Sequence, residues 1–329
     1  MLPCLRALLN QVIDYAGLFP PAELAMEPAI RHYARYMSEP ESWMLGRFIC
    51  PAARLEELHP FITTLFYPVS PLTLSVLGRG GTNADDFLAG LHADLQAIAA
   101  FRQRHGPRVL VDALEIKWPT ALCRLQTTNE LRHLLEQTAN VIEAEGPPQM
   151  HIAYEAGFSP DGRAAIDAIV QTLAESAKDN RSKKRQKYAS HGFKLRCGGV
   201  QAAAFPAPEQ VAWVLSACSE HAVPLKFTAG LHHPLRHYAN SVQTKMHGFI
   251  NVLLASVVAF EEKWDVNRLV ELLNVEGDQQ FHPTSEGWIW AKYLFPTDMV
   301  SSVRTRFGLS FGSCSFDEPR DDLRGLGWL

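Results

Sequence analysis

Several patterns that mark particular classes of protein are missing from this chain of 329 residues. It has no CxxC pair, and its few cysteines lie far apart, which excludes the usual zinc-finger spacings and a disulfide-rich scaffold. No run of 18 apolar residues occurs, which argues against a membrane span. The first 21 residues lack a basic segment followed by an unbroken apolar stretch, so they do not read as a secretory signal. We expect a cytoplasmic protein with free thiols at Cys4, Cys50, Cys123, Cys197, Cys218 and Cys314.

An excess of positive charge is also missing. The chain has 31 Lys and Arg against 35 Asp and Glu, a formal net charge of −4. A protein that binds nucleic acid usually has a basic balance, so we expect no nucleic-acid partner and no membrane partner. Hydrophobic residues make up 47% of the chain and charged residues 20%, which is typical of a globular enzyme-sized protein and not of a disordered chain.

Strand and helix patterns alternate along the chain. Runs of extended character occur at 46–50, 71–78, 109–117, 149–156, 191–197 and 223–229. Stretches with helical periodicity occur at 85–104, 127–145, 161–178 and 207–221, and at 247–274 with a break near Asp265. One further helix start is indicated by Pro160 and Asp161. Six βα modules in series predict a parallel sheet with helical crossovers, and no GxGxxG follows the first strand to indicate a dinucleotide-binding sheet.

We therefore predict an α/β fold of the (β/α)8 type, a TIM-like barrel. The seventh and eighth strands are less clear, with candidates at 248–258, which has more helical than extended character, and at 308–316. The barrel is thus expected to be incomplete or irregular there. We predict one barrel-like domain over 1–329. It would comprise a lead-in at 1–45, six modules at 46–245 and a helical C-terminal part at 246–329.

Four consecutive predicted strands carry polar residues on one face only. Strands buried on both faces normally read as continuous apolar runs. Here the residues alternate, as in Glu115 and Lys117 opposite Ile116, and the polar ones lie toward the carboxyl ends of the strands, where barrel enzymes carry their sites. The same alternation places Glu155, Lys194, Arg196, Lys226 and Thr228 on this face.

The charges of that face indicate an anionic ligand. Four cations (Lys117, Lys194, Arg196, Lys226) face two carboxylates (Glu115, Glu155), an excess of two positive charges. We predict that a small-molecule substrate with a carboxylate or phosphate binds here, with Arg196 as a bidentate clamp and backbone N–H groups of the following glycines close to it. The predicted substrate-binding residues are Arg196, Lys117, Thr228, Gly198, Gly199, Arg79 and Asp14.

Two lysines are the leading candidates for catalysis. An amine attacks a carbonyl only when deprotonated, and burial with neighbouring cations would lower the pKa of Lys226 and Lys194. Either Glu115 or Glu155 could then move the proton. The arrangement resembles barrel-type class I aldolases, which pair a strand-borne lysine with a second lysine; the resemblance covers four strands without a shared signature. It implies a lyase that forms a Schiff base.

Other functions remain open. Proton abstraction beside a carboxylate would make the protein an isomerase, epimerase or dehydratase, with or without a divalent metal. A barrel used for binding or as a scaffold is a non-catalytic alternative. An internal lattice of salt bridges, such as Glu115–Lys194 and Glu155–Arg196, would account for the charges without catalysis. A homo-oligomer is compatible with each of these functions.

Histidines follow the last clear strand. His232 or His233 could act as an acid or base, and His237 would share a helix face with His233 if Pro234 began a helix. These histidines could also ligate a metal with Glu155 or Glu115, although HExxH and HxH are absent. Cys314 stands between two serines without a GxSxG context, so a buried strand residue is expected there and a nucleophile is the alternative.

Overall fold

The computed structural model describes residues 1–158 and 162–329, without the side chains of residues 125, 189 and 190. Eight strands close into a parallel barrel in the order β1-β13-β7-β6-β5-β4-β3-β2. In chain order they are β1 Ile13–Tyr15, β2 Leu45–Pro51, β3 Leu72–Leu77, β4 Val109–Lys117, β5 Met150–Glu155, β6 Tyr188–Arg196, β7 Leu225–Thr228 and β13 Gly308–Ser313. The predicted (β/α)8 barrel is confirmed, and it is closed.

Five further strands form two small antiparallel sheets. A hairpin pairs β8 His237–Ala239 with β9 Thr244–Met246. A three-stranded sheet contains β10 Phe281–Pro283, β11 Gly287–Trp290 and β12 Tyr293–Pro296. The three-stranded sheet lies in the C-terminal part that was predicted to be helical, and the hairpin lies at the end of the six predicted modules. Neither sheet was predicted, because strands of three or four residues are too short to show a period.

Helices alternate with the barrel strands. They are α1 Pro3–Leu9, α2 Met26–Tyr36, α3 His59–Leu65, α4 Ala84–His105, α5 Thr128–Glu145, α6 Arg163–Ser182, α7 Pro208–His221, α8 Phe249–Phe260, α9 Val266–Leu273, α10 Thr297–Arg306 and α11 Asp317–Gly325. The predicted break near Asp265 is confirmed, since its side chain accepts a hydrogen bond from the Arg268 N–H and caps α9. The predicted helix start at Pro160 and Asp161 lies outside the described residues.

Only one of the two candidates for the seventh and eighth strands is a strand. The candidate at 308–316 contains β13, whereas the candidate at 248–258 is the helix α8. That helix is apolar on every side and buried almost throughout, which removes the amphipathic signal by which a helix is usually recognised. The remaining barrel strand is β1, which lies inside the segment predicted to be a lead-in. Its three residues are all buried, so they show no alternation.

The chain divides into two compact units. Unit 1 comprises Met1–Glu23, Ser38–Gly46 and Leu195–Leu329, and unit 2 comprises Leu24–Met37 and Arg47–Lys194. Each unit contains apolar side chains from the faces that the sequence assigned to the core. Ile116, Tyr154 and Phe193 are buried in unit 2, and Leu225 and Phe227 are buried in unit 1.

Candidate active site

A buried lysine in unit 2 lies between two carboxylates. Lys194 Nζ is 2.9 Å from Glu115 Oε2 and 2.7 Å from Glu155 Oε2. The three residues come from the adjacent parallel strands β4, β5 and β6, whose registers place Glu155 opposite Lys194. Glu115 also accepts a hydrogen bond of 2.6 Å from the Ser75 hydroxyl on β3. Alternation along neighbouring strands therefore brings these polar side chains together, as the sequence predicted.

The electrostatics of Lys194 correct one expectation. Burial alone would lower its pKa, but Glu115 and Glu155 outweigh that effect and raise the pKa above its usual value. The sequence argument placed cations beside this lysine and predicted a lowered pKa. It was wrong because the carboxylates of the two preceding strands are the nearest charges. Lys194 therefore stays an ammonium at neutral pH, and the pair Glu115–Lys194 considered as a structural alternative is present.

The second predicted lysine, Lys226 on β7, belongs to a separate cluster in unit 1. Its Nζ donates a hydrogen bond to Asp14 Oδ2, and both side chains are buried. The same carboxylate oxygen accepts a hydrogen bond of 2.7 Å from the Ser310 hydroxyl. Asp14, Ser310 and Lys226 lie on β1, β13 and β7, which are consecutive strands of the barrel. Asp14 thus lies on a barrel strand within the segment that was predicted to be a lead-in.

Gly46 and Arg304 also contribute to the surroundings of Asp14. Gly46 lies against its Oδ1, and a Cβ atom at that position would collide with the carboxylate. The Arg304 guanidinium is buried, and it donates hydrogen bonds to the carbonyls of Leu8 at 2.6 Å and Leu309 at 2.7 Å. Burial lowers the pKa of Arg304 to about 10, and attraction to Asp14 opposes that shift. The buried Asp14 carboxylate is therefore attracted by two cations of unit 1, Lys226 and Arg304.

The predicted excess of two positive charges is not found in these clusters. Lys194 with two carboxylates leaves a formal charge of −1 in unit 2. Lys226 with Asp14 leaves zero in unit 1, or +1 when the nearby Arg304 is included. The sequence argument left Asp14 out of its sum because β1 was not recognised as a strand. It also counted Lys117 and Arg196 as enclosed, whereas both residues are exposed at the carboxyl ends of β4 and β6.

The other predicted binding residues have different surroundings. Thr228, at the end of β7, is half-buried. Arg79 follows β3 and pairs with Asp94, with 3.1 Å between Nε and Oδ1. Burial raises the pKa of Asp94, and the backbone N–H and charge of Arg79 oppose that rise. Arg79 therefore serves as the partner of a buried carboxylate on α4.

The glycine pair after β6 has a packing role. A Cβ atom on Gly198 would lie 2.5 Å from a Phe205 ring carbon and 2.9 Å from Gly230 Cα, and one on Gly199 would lie 2.8 Å from the Ala204 Cβ. Gly230 itself has a φ of +71°, which favours glycine. Close approach of the segments after β6 and β7 thus accounts for these glycines without a ligand.

Two of the histidines lie against acidic side chains of α11. His232 Nδ1 lies 3.7 Å from Cys314 Sγ and 3.4 Å from Glu318 Oε2. His233 Nδ1 lies 2.6 Å from Asp322 Oδ2. Pro234 does not begin a helix, because His237 is the first residue of strand β8. The His237 ring nevertheless contacts the His233 ring, and their centroids are 4.5 Å apart. Across residues 1–158 and 162–329, no cluster of three His, Cys, Asp or Glu side chains could hold a metal ion.

Sequence reasoning missed a buried cation after β7. Arg236 is 8% exposed, its Nη1 is 3.3 Å from His247 Nδ1, and its Nε has no hydrogen-bond partner among the described residues. Burial lowers the pKa of both groups, to about 4 in His247. The neutral ring accepts from Arg236 and donates to the Pro206 carbonyl at 2.7 Å. A buried polar residue inside an otherwise ordinary loop gives no periodic signal, so only its proximity to the histidines could have singled it out.

Comparison with known proteins does not assign the chain to a family. No protein-family model matches the chain, and no curated protein matches it. Among solved structures, the tetrameric deoxyribose phosphate aldolase of Aeropyrum pernix is similar, with a TM-score of 0.43, 12% identity and coverage of 70% of this chain and 85% of that one. Two structures of Haloferax volcanii malate synthase are also similar. The one with glyoxylate has a TM-score of 0.40 and 11% identity, and the match covers 95% of this chain and 78% of that one. The pyruvate/acetyl-CoA ternary complex has a TM-score of 0.42 and 11% identity, and the match covers 97% of this chain and 75% of that one. Among the described helices, none has the length and apolar character needed to cross a bilayer.

Proposed function

We propose that the protein is a lyase that forms a Schiff base between Lys226 and a small carbonyl substrate bearing a carboxylate or phosphate. The observation that carries this proposal is the buried contact between Lys226 and Asp14 on a parallel barrel strand. An amine on such a strand, beside a group that can take its proton, has the two components that imine formation needs.

The chemical step uses only these side chains. Asp14 accepts a proton from the Lys226 ammonium, and the free amine forms a C–N bond with the carbonyl carbon while the C=O π bond breaks. The former carbonyl oxygen takes up two protons in all, one returned by Asp14 and one from the attacking nitrogen, and it leaves as water. The lysine nitrogen, which began as an ammonium, is then part of an iminium cation. Ser310 keeps the Asp14 carboxylate in place through its hydrogen bond. In a substrate with a hydroxyl on its β-carbon, the bond between the α- and β-carbons then breaks and its electron pair enters the iminium, which becomes an enamine. The hydroxyl gives its proton to the Asp14 carboxylate, and the β-carbon leaves as the carbonyl group of the released fragment.

The proposed anionic group of the substrate is supported by two arginines of unit 1. Arg196 is exposed at the carboxyl end of β6, and Arg236 is buried in the segment after β7 with an Nε that lacks a hydrogen-bond partner among the described residues. A guanidinium fork matches the geometry of a carboxylate or phosphate. The carboxyl ends of barrel strands are where catalytic residues are found in this fold.

Borohydride trapping tests this proposal. The protein is incubated with pyruvate, glyoxylate or dihydroxyacetone phosphate, reduced, digested and analysed by mass spectrometry, with uncharged acetone as a control. We expect Lys226 to gain the mass of an anionic carbonyl compound less one oxygen atom. Lys226→Arg keeps the positive charge beside Asp14 but forms no imine, so it should abolish the adduct. Lys194→Arg is the matched control and should retain it.

Three outcomes would contradict the proposal. They are an adduct on another lysine, no adduct with any anionic carbonyl compound, or equal trapping of acetone. Deuterium exchange at the carbon beside a carboxylate that survives Lys226→Arg would favour proton abstraction, the isomerase alternative. If no small anion raises the melting temperature, the scaffold alternative gains, because an anion at a hundredfold excess over its dissociation constant should stabilise by about 2.7 kcal/mol.

A further inference from the structure

A cysteine, a histidine and a glutamate meet beyond the carboxyl ends of two neighbouring strands of unit 1. Cys314 is the first residue after β13, and His232 follows β7, with which β13 pairs in parallel. Their Sγ and Nδ1 atoms are 3.7 Å apart, a hydrogen-bond distance for sulfur. Glu318 on α11 approaches the same ring nitrogen at 3.4 Å. The hydrogen bonds described for Lys226 involve other side chains than these three.

We propose that Cys314 and His232 form a thiolate–imidazolium pair, and that Cys314 is a nucleophile toward small α,β-unsaturated carbonyl compounds. A thiolate is the reactive form of cysteine, and a neighbouring imidazolium stabilises it. The proposal is independent of the Schiff-base function, since it needs neither Lys226 nor Asp14.

The charges around His232 support the pair. Burial alone would lower the pKa of His232, but hydrogen bonds to Cys314 and Glu318 outweigh burial and raise the pKa to about 9. The next titratable ring is that of His233, whose centroid is 6.5 Å away and which pairs with Asp322. The groups that face His232 are therefore a thiol, a carboxylate and a histidine with its own carboxylate, an environment that favours the imidazolium.

The other five cysteines provide an internal comparison. Each is buried, and burial raises each thiol pKa, to about 12 in Cys50 and Cys197 and to about 11 in Cys123. Cys123 and Cys197 donate to the backbone carbonyls of Pro119 and Leu195, whereas Cys314 faces an imidazole. Cys314 is 7% exposed, so a small reagent has surface to reach.

The proposed reaction balances without a further reagent. The Cys314 sulfur forms a C–S bond to the β-carbon of the unsaturated carbonyl compound, and the C=C π bond breaks. The α-carbon then takes the proton that His232 held on its ring. The product is a neutral thioether with a neutral imidazole, in place of a thiolate and an imidazolium.

The test measures labelling by N-ethylmaleimide, an α,β-unsaturated imide, on the native protein. Peptide mapping gives the rate for each cysteine between pH 5.5 and pH 8. We expect Cys314 to react at least about tenfold faster than any other cysteine, with a rate that changes little over this range. In His232→Gln the rate at pH 6.5 should fall roughly tenfold to a hundredfold, because a thiol with the ordinary pKa of about 8.5 is about 1% ionised there.

His233→Gln is the matched control, since it removes the adjacent imidazole and should leave the pH profile of Cys314 unchanged. Glu318→Gln is a second variant in case His232→Gln does not fold; it keeps the imidazole but weakens its protonation, so the rate should fall at the upper end of the pH range. The proposal is overturned if Cys314 is labelled no faster than the other cysteines. It is equally overturned if both His232→Gln and Glu318→Gln react with the wild-type profile.

Discussion

Lys226 and Asp14 form a buried ion pair although 212 residues separate them in the chain. Each side chain is less than a tenth exposed, and the Ser310 hydroxyl holds the same carboxylate oxygen. In a low-dielectric interior, the two charges depend on each other far more than an exposed pair would. The pair is therefore both a structural element of unit 1 and the proposed source of the reactive amine.

Removing either partner should destabilise the protein strongly. We expect Lys226→Met and Asp14→Asn each to lower the free energy of unfolding by about 3–5 kcal/mol, because a buried charge is left without its partner. The double variant should lose much less than the sum. Urea unfolding of the four proteins gives the coupling free energy. The exposed pair Lys245–Glu276 is the matched control, and its cycle should give less than about 1 kcal/mol. Additive losses at Lys226 and Asp14 would contradict the interpretation.

Acid should weaken unit 1 through His247. Burial, with a smaller effect from Arg236, lowers the pKa of His247 to about 4, against 6.5 for an ordinary histidine. Between these values the unfolded chain binds more protons than the folded one, so stability is present above pH 6.5 and is lost as the pH falls toward 4. The loss amounts to at most about 3 kcal/mol at 1.36 kcal/mol per pH unit.

Unfolding free energies measured at pH 7 and pH 4.5 test this prediction. In His247→Gln the difference between the two pH values should be smaller than in the wild type, since the glutamine does not titrate. His282→Gln, at an exposed position, is the control and should keep the wild-type difference. An unchanged difference in His247→Gln would show that His247 is not the group responsible.

Gly198 should not tolerate a side chain. In Gly198→Ala the new methyl group would overlap Phe205 and Gly230, and we expect a loss of about 1–3 kcal/mol. Gly277→Ala is the matched control: it has a φ of −94°, and its nearest neighbour would be Gln280 Nε2 at 3.7 Å. That variant should be neutral or slightly stabilising. If Gly198→Ala kept its melting temperature but lost affinity for phosphate, that result would favour the predicted role of the glycine N–H groups in binding an anion.

The barrel was predictable because most of its strands are long enough to show a pattern. The strand at 109–117 has its predicted bounds, and its alternation placed Glu115 on the polar face. The strand Ile13–Tyr15 has only three residues, and all are buried. Neither its length nor an alternation of polar and apolar residues identifies it as a strand in the sequence. Because that strand was not recognised, Asp14 was placed in the lead-in and left out of the charge balance.

The residues of the site were easier to choose than their partners. The alternation of side chains along single strands indicated Lys194 and Lys226. The carboxylate nearest to each lysine comes from another strand, and for Lys226 that strand lies 212 residues away in the chain. His237 shows the same limit, because four-residue spacing from His233 suggested a helix, whereas pairing with Met246 makes it part of a hairpin. Tertiary pairing decides such cases, and no local pattern records it.

The three residues that meet at Asp14 also set an order of events during synthesis. A ribosome makes Lys226 212 residues after Asp14, and Ser310 a further 84 residues later, 296 residues beyond Asp14. Until then the carboxylate and the strand that carries it have no native neighbours on that side. Contacts of such long sequence separation form slowly. The proposed catalytic pair therefore cannot form until 212 residues have been added after Asp14, and β1 lacks its neighbour β13 for longer still.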